Sequence, residues 1–259
     1  PDWFIKTFFL PNKKCFLNNF ILISVCYLFY LLIFYPGIAA YDYKFNLNFF
    51  LNRDYLEIHP VLYNLILYFF YKFGMFFKNL ALGISLYSIF QIFIVTSSFS
   101  YCIYFLSKYK VPFLIRAFAL LFFAFHPYCA LFSISTTKDT FFCSFVLIFI
   151  IQICEIFLNP KRLEENKKLA FLTLTICFMF LFRHNAFLSY IIYLPFLIFG
   201  FKKLNNKIDK SLFKRALICF LVPIIFYFCF GKIKAFFNIT PPPIASTIAI
   251  PLQQMSRVR

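Results

Sequence analysis

Long apolar runs separated by short polar breaks set the character of this chain. Seven runs, roughly residues 17–36, 84–106, 112–132, 141–158, 169–182, 186–201 and 216–230, are apolar over most of their length. A helix needs about 20 such residues to cross the hydrocarbon core. These runs are therefore predicted to be membrane-spanning helices, the shorter ones with their polar neighbours at the interface. An eighth stretch, residues 61–77, fits either a short span or a helix lying along the membrane surface.

The basic residues bear on that ambiguity. If 61–77 does not cross, then Lys108 and Lys110, the group Lys161, Arg162, Lys167 and Lys168, and the loop from Lys202 to Arg215 all share a side with Lys6, Lys13 and Lys14. Positive residues concentrate on the cytoplasmic side, so the sequence predicts a surface helix in a first outer loop. The outer face then carries residues 37–83, 133–140 and 183–185, and the segment from Gly231 onward. Residues 1–230 read as one multi-pass transmembrane module and 231–259 as the start of an outer segment. With no opening Met, the chain reads as a fragment of a longer protein.

Composition agrees with the pattern. The 259 residues are 63% hydrophobic and 14% charged, with a mean hydropathy of +0.81, which defines an all-α polytopic integral membrane protein. The net charge of +17 sits in short clusters between apolar runs. Anionic lipids and topology account for it better than nucleic acid, so membrane lipids are expected partners and nucleic acid is not. The nine cysteines lie mostly within apolar runs with no metal-ligand spacing, and read as packing residues. The 45 phenylalanines, with many Lys, Asn and Ile, suggest an AT-rich bacterial genome and so a bacterial plasma membrane, and the distribution of basic residues places the polar site outside.

Charge at a bilayer is costly and usually lines a cavity or pairs. Asp42 follows a Pro-Gly turn at the exit of the first span, and His59 precedes the surface helix. A loop carboxylate can serve as a general base, and His59 can bond a carboxylate or a phosphate. Lys138 and Asp139 open the fourth run, where Thr136-x-x-Asp139 is a variant of a helix cap and a lysine at a helix start suits a phosphate. Arg183, in the tight break Arg183-His184-Asn185, either snorkels to lipid phosphates or holds a substrate.

The stretches YPG with Asp42, HPVLYNLILYFFYKFG from His59, STTKDTFF from Ser135, RHN from Arg183 and IPLQQMSRV from Ile250 together resemble the N-terminal module of the GT-C superfamily of membrane glycosyltransferases. That group includes protein O-mannosyltransferases and aminoarabinose transferases. The resemblance implies an inverting transferase taking a sugar from a polyprenyl-phosphate donor to a hydroxyl of a glycan, lipid or protein acceptor. Carried over, Asp42 is the catalytic base and Asp139 the acid of the second outer loop. Lys138 and Arg183 contact phosphate, and His59, Asn185, Gln253 and Gln254 join them in substrate binding. The paired acidic motif of several relatives is missing, since Tyr41 and Tyr43 flank Asp42; a divalent metal is left open and no other cofactor is implied. The alternative is a flippase for lipid-linked sugars or another polytopic transporter, which calls for polar groups at mid-membrane.

Overall fold

The computed structural model describes residues 2–53, 55–203 and 210–241. Among them the chain is all-α, its only β pairing being isolated bridges. A short helix α1 (Asp2–Phe8) leads into α2 (Lys13–Ile33). The Asn12 side chain caps α2 by accepting from the Cys15 amide at 2.8 Å. Along α2 every fourth residue is buried, Cys15, Asn19, Ile23, Tyr27 and Leu31, while Leu17, Val25, Phe29 and Leu32 face outward. A helix apolar on all sides, with its outward face bare, suits lipid contact.

After α3 (Tyr43–Leu51) and α4 (Val61–Phe76), α5 (Leu80–Lys108) forms the centre of the bundle, packed by α2, α4, α6, α7 and α8. Its buried face is rich in Ser, Thr and Gln, small or self-bonding groups that let neighbouring helices approach. Thr96, for example, donates to the Ile92 carbonyl at 2.8 Å and accepts from Ser24 of α2 at 3.0 Å. Then come α6 (Phe113–Phe125) and α7 (Pro127–Ser133), bent by 49°. Pro127 at the start of α7 supplies no amide to continue α6. A second packed group follows, α8 (Lys138–Leu158), α9 (Asn166–Phe182), α10 (Asn185–Lys203) and α11 (Lys210–Phe236).

Among the described residues four helices, α2, α5, α8 and α11, are long and apolar enough to cross a membrane, and the bent α6–α7 pair is a fifth if taken as one span. The protein is a multi-pass membrane protein. Although shorter, α9 and α10 join the same two ends of the bundle. Arg183 at the end of α9 meets Asp139 at the start of α8, and at the other end Phe157 of α8 stacks on Phe201 of α10. At that end too, Glu155 pairs with Lys108 and Arg162. Helix α11 continues through Phe236, past the end of its apolar run at residue 230.

The eighth stretch is α4, and it doubles back on the first half of α5. Phe70 lies against Tyr87 and Phe90, with ring centroids 6.1 and 5.6 Å away. A Cβ on Gly83 would stand 2.6 Å from the Phe70 carbonyl oxygen, and one on Gly74 would stand 2.9 Å from Gly83. Both glycines are needed for that approach. Tyr63, near the start of α4, donates to the Thr136 carbonyl, which ties that end of α4 to the start of α8.

This arrangement predicts that residues 41 and 161 lie on opposite sides of the membrane. Tyr41 is fully exposed and Lys161 is exposed at the Glu155 end. In a background lacking native Cys, Tyr41→Cys should react with an impermeant maleimide on intact cells, and Lys161→Cys only after permeabilisation. Labelling of both from one side would contradict the helix order; the reverse pattern would invert the orientation.

Candidate functional site

The site begins with how the polar breaks satisfy their own backbone. Ile38 donates its amide to the Ile134 carbonyl at 3.0 Å, and Thr136 returns one to Ile38 at 2.9 Å. The Thr136 hydroxyl accepts from the Ala40 amide at 2.8 Å. From α5, the Gln91 amide group donates to the Phe132 and Ser135 carbonyls at 2.7 and 2.8 Å, and Tyr63 donates to the Thr136 carbonyl at 2.8 Å. Gly37, at φ 122°, passes so close that a Cβ would meet the Ser88 hydroxyl at 2.4 Å. A hydrophobic floor of Leu47, Tyr63, Leu67, Tyr87, Phe141 and Phe182 underlies these loops.

Asp42 stands two residues beyond Ala40, at the start of α3. Its side chain makes no capping bond, so the ordinary use of an aspartate at that position is not taken up. Instead a carboxylate oxygen faces His59 Nε2 at 3.5 Å, with the Asp42 side chain 52% and the His59 side chain 11% exposed. On the other side of the ring, Nδ1 contacts the Lys138 ammonium. An ammonium only donates, so Nδ1 accepts and the imidazole proton sits on Nε2, facing Asp42. Burial first, and then the Lys138 charge, push the His59 pKa down from 6.5 to about 4. The ring is neutral at pH 7, a spacer that fixes the carboxylate and the lysine on either side of itself.

Thr137 caps α8, accepting from the Asp139 amide at 3.3 Å; the expected cap, Thr136, is occupied by Ala40. Asp139 is therefore free of capping by its side chain and accepts from Arg183 Nη1 at 2.7 Å. The guanidinium also lies over the Phe142 ring, 5.3 Å from its centroid. Both side chains are about half exposed, at 43% for Arg183 and 48% for Asp139, leaving further guanidinium donors for a ligand.

Two spaces meet at Asp139. A polar cleft of about 80 Å³ is lined by Asp42, Asn46, His59, Tyr63, Lys138 and Asp139. An apolar groove of about 420 Å³ runs between α5, α7 and α8, lined by Val95, Phe99, Phe132, Cys143 and Leu147, with Asp139 and Thr140 at its head.

Five of the residues expected from the sequence, Asp42, His59, Lys138, Asp139 and Arg183, thus come together. Asn185 does not: it begins α10, is exposed, and its side chain bonds none of them. Gln253 and Gln254 lie outside the described residues. The cleft also contains Asn46, one turn after Asp42, 2% exposed and with its side-chain oxygen buried and unpartnered. Its spacing of four from Asp42 was the available signal. Glu57, four residues before α4, is 6% exposed and accepts from Lys234 of α11 at 2.7 Å. Backbone pairing reinforces that link, with Glu57 donating to Thr240 at 2.9 Å and Thr240 to Tyr55 at 3.0 Å. Nothing near Glu57 in the chain signals a partner 177 positions away.

Among the described residues no three His, Cys, Asp or Glu side chains gather as a metal site. The cleft also does not fit a dication, since Lys138 occupies the His59 nitrogen and Arg183 an Asp139 oxygen.

The chain is, then, a polytopic α-helical membrane protein with a charged cleft at one end of its bundle. It belongs to the family of unknown function DUF6020, which it matches over residues 52–259. No curated protein and no solved structure matches it.

Two outcomes follow from this electrostatics. Glu57→Gln and Lys234→Met should each destabilise the protein by roughly 2–5 kcal/mol, because each leaves a largely buried charge alone. The double variant Glu57→Leu with Lys234→Met should recover more than half of that in thermal unfolding; simple additivity would mean that the two groups are not coupled. For His59 the folded pKa lies below the unfolded one, so the unfolded chain binds the extra proton as pH falls. Stability should decline between about pH 6.5 and 4 and level off below. The midpoint of thermal unfolding measured from pH 7.5 to 4 should follow this course, less steeply in His59→Gln. An identical slope in that variant would show the ring to be solvated.

Proposed function

We propose that this protein is a membrane glycosyltransferase of GT-C type, transferring a sugar from a polyprenyl-phosphate donor to an acceptor hydroxyl on the extracytoplasmic face. The observation that carries the reading is that the charged cleft and the apolar groove share Asp139. A donor with a long hydrocarbon chain and a phosphate-linked sugar needs such a pair of spaces side by side. The chain lies in the groove, its phosphate at the head beside Arg183 and Lys138, and the sugar in or above the cleft.

In this reading Asp42 accepts the proton of the acceptor hydroxyl as that oxygen bonds to the anomeric carbon. The bond from that carbon to the phosphate oxygen breaks on the opposite face, so the configuration inverts. Neutral His59 points its Nε2 proton at Asp42 and holds the carboxylate in place without protonating it. Arg183 stabilises the charge gathering on the departing lipid phosphate. Asn46 offers its unpartnered oxygen to a sugar hydroxyl. The outward orientation is supported by the basic residues Lys108, Lys110, Lys161, Arg162, Lys167 and Lys168, all at the opposite end of the bundle.

Asp42→Asn preserves shape and removes the proton acceptor. In liposomes supplied with polyprenyl-phosphate sugar, turnover by the full-length protein should fall by about a hundredfold or more, with donor binding nearly intact. Arg183→Ala should weaken donor binding by about tenfold or more. Near-normal turnover in the first variant would remove Asp42 as base. Unchanged donor affinity in the second would leave Arg183 only its pairing with Asp139.

A further inference from the structure

At the opposite end of the bundle lies a third cavity, of about 350 Å³, between α5, α8 and α9. Its polar side is built around Glu155, which is 3% exposed. That carboxylate accepts from Arg162 at 2.5 Å, Lys108 at 2.9 Å and Tyr101 at 3.1 Å. Lys108 and Arg162 answer Glu155, and Lys168 on the lining pairs with Glu165, so the three cations and two carboxylates around the cavity leave one net positive charge. Ile156, Leu169, Phe171 and Leu172 form its apolar side, and Phe171 is exposed, so the cavity opens laterally between helices.

One lining residue has no internal explanation. Gln152, one turn deeper along α8 than Glu155, is 5% exposed, and both its amide nitrogen and its amide oxygen are buried without a partner. The Arg162 Nε is likewise buried and unpartnered. A buried carboxamide without partners is unfavourable, and a ligand carrying acceptor oxygens at two levels would answer both the Gln152 amide nitrogen and Arg162 Nε.

We infer that this cavity binds an anionic glycerophospholipid from the leaflet facing the Glu155 end. The phosphate sits at the level of Arg162 and Lys168, where cations collect and Nε is free to donate. The glycerol and ester region reaches Gln152, whose amide nitrogen donates to an ester carbonyl. An acyl chain lies along Leu169, Phe171 and Leu172. Basic pockets between helices at this depth are a general means of holding acidic headgroups. This site shares no residue with the charged cleft at Asp42.

The test uses the full-length protein in lipid nanodiscs and by native mass spectrometry after detergent extraction, with phosphatidylglycerol, phosphatidylcholine and inorganic phosphate as probes. Phosphatidylglycerol should be retained and should raise the unfolding temperature, phosphatidylcholine should do so far less, and inorganic phosphate should not compete. Gln152→Leu, which removes the unsatisfied groups while keeping the packing, should fold and yet bind phosphatidylglycerol about tenfold more weakly. Lys168→Gln should reduce the preference for the acidic lipid, while Arg183→Gln at the far end should leave it unchanged. Equal retention of both lipids, full affinity in Gln152→Leu, or displacement by inorganic phosphate would each overturn the lipid assignment.

Discussion

The site depends on backbone pairing between two loops at the edge of the hydrocarbon. Peptide groups near a bilayer find little water and must be satisfied within the protein. The chain leaving α2 and the chain entering α8 meet this demand in each other, through Ile38, Ile134 and Thr136, and Gln91 answers the remaining carbonyls from α5. That pairing fixes Ala40, and Asp42 follows two residues later. It also fixes Thr137 as the cap of α8, so Lys138 and Asp139 emerge on the first turn toward the same cleft. The charges meet because the loops that bear them could not stay apart.

Much of this was legible in the sequence, for a physical reason. Apolar runs of near span length have few alternatives to helices in lipid, and the membrane drives the polar breaks to the bundle ends. Asp42, His59, Lys138, Asp139 and Arg183 stood in such breaks and could be expected at one end together. What escaped the sequence was decided by tertiary contact. Thr136 and Thr137 are equally good caps in isolation, and the Ala40 amide selects between them. The stretch YKFNLNFFL mixes amides with aromatic residues, with no clear period to mark it as α3, and its helical form rests on packing over Tyr63 and Leu67. Asn185 adjoins Arg183 in the chain, but the start of α10 turns its side chain elsewhere.

Helix α8 carries charge at both ends, Lys138 and Asp139 at one and Glu155 at the other, with an apolar body between them. The two ends solve the cost of charge differently. Glu155 is nearly sealed by Lys108, Arg162 and Tyr101, a stable but unreactive arrangement. Asp42 and Asp139 remain about half exposed, each with a single cationic or imidazole neighbour. A carboxylate so placed keeps lone pairs for chemistry, which is the physical contrast between the two ends.

The link between Glu57 and Lys234 bears on how the protein is made. A membrane chain is threaded into the bilayer from its N-terminus, so Glu57 reaches its place long before α11 has been synthesised. Until then its carboxylate has no counterion, and the stretch from Tyr55 to Glu57 lacks the strand-like partner supplied by Thr240. The loop before α4 therefore gains its Lys234 counterion and its Thr240 backbone partner only once α11 has been made.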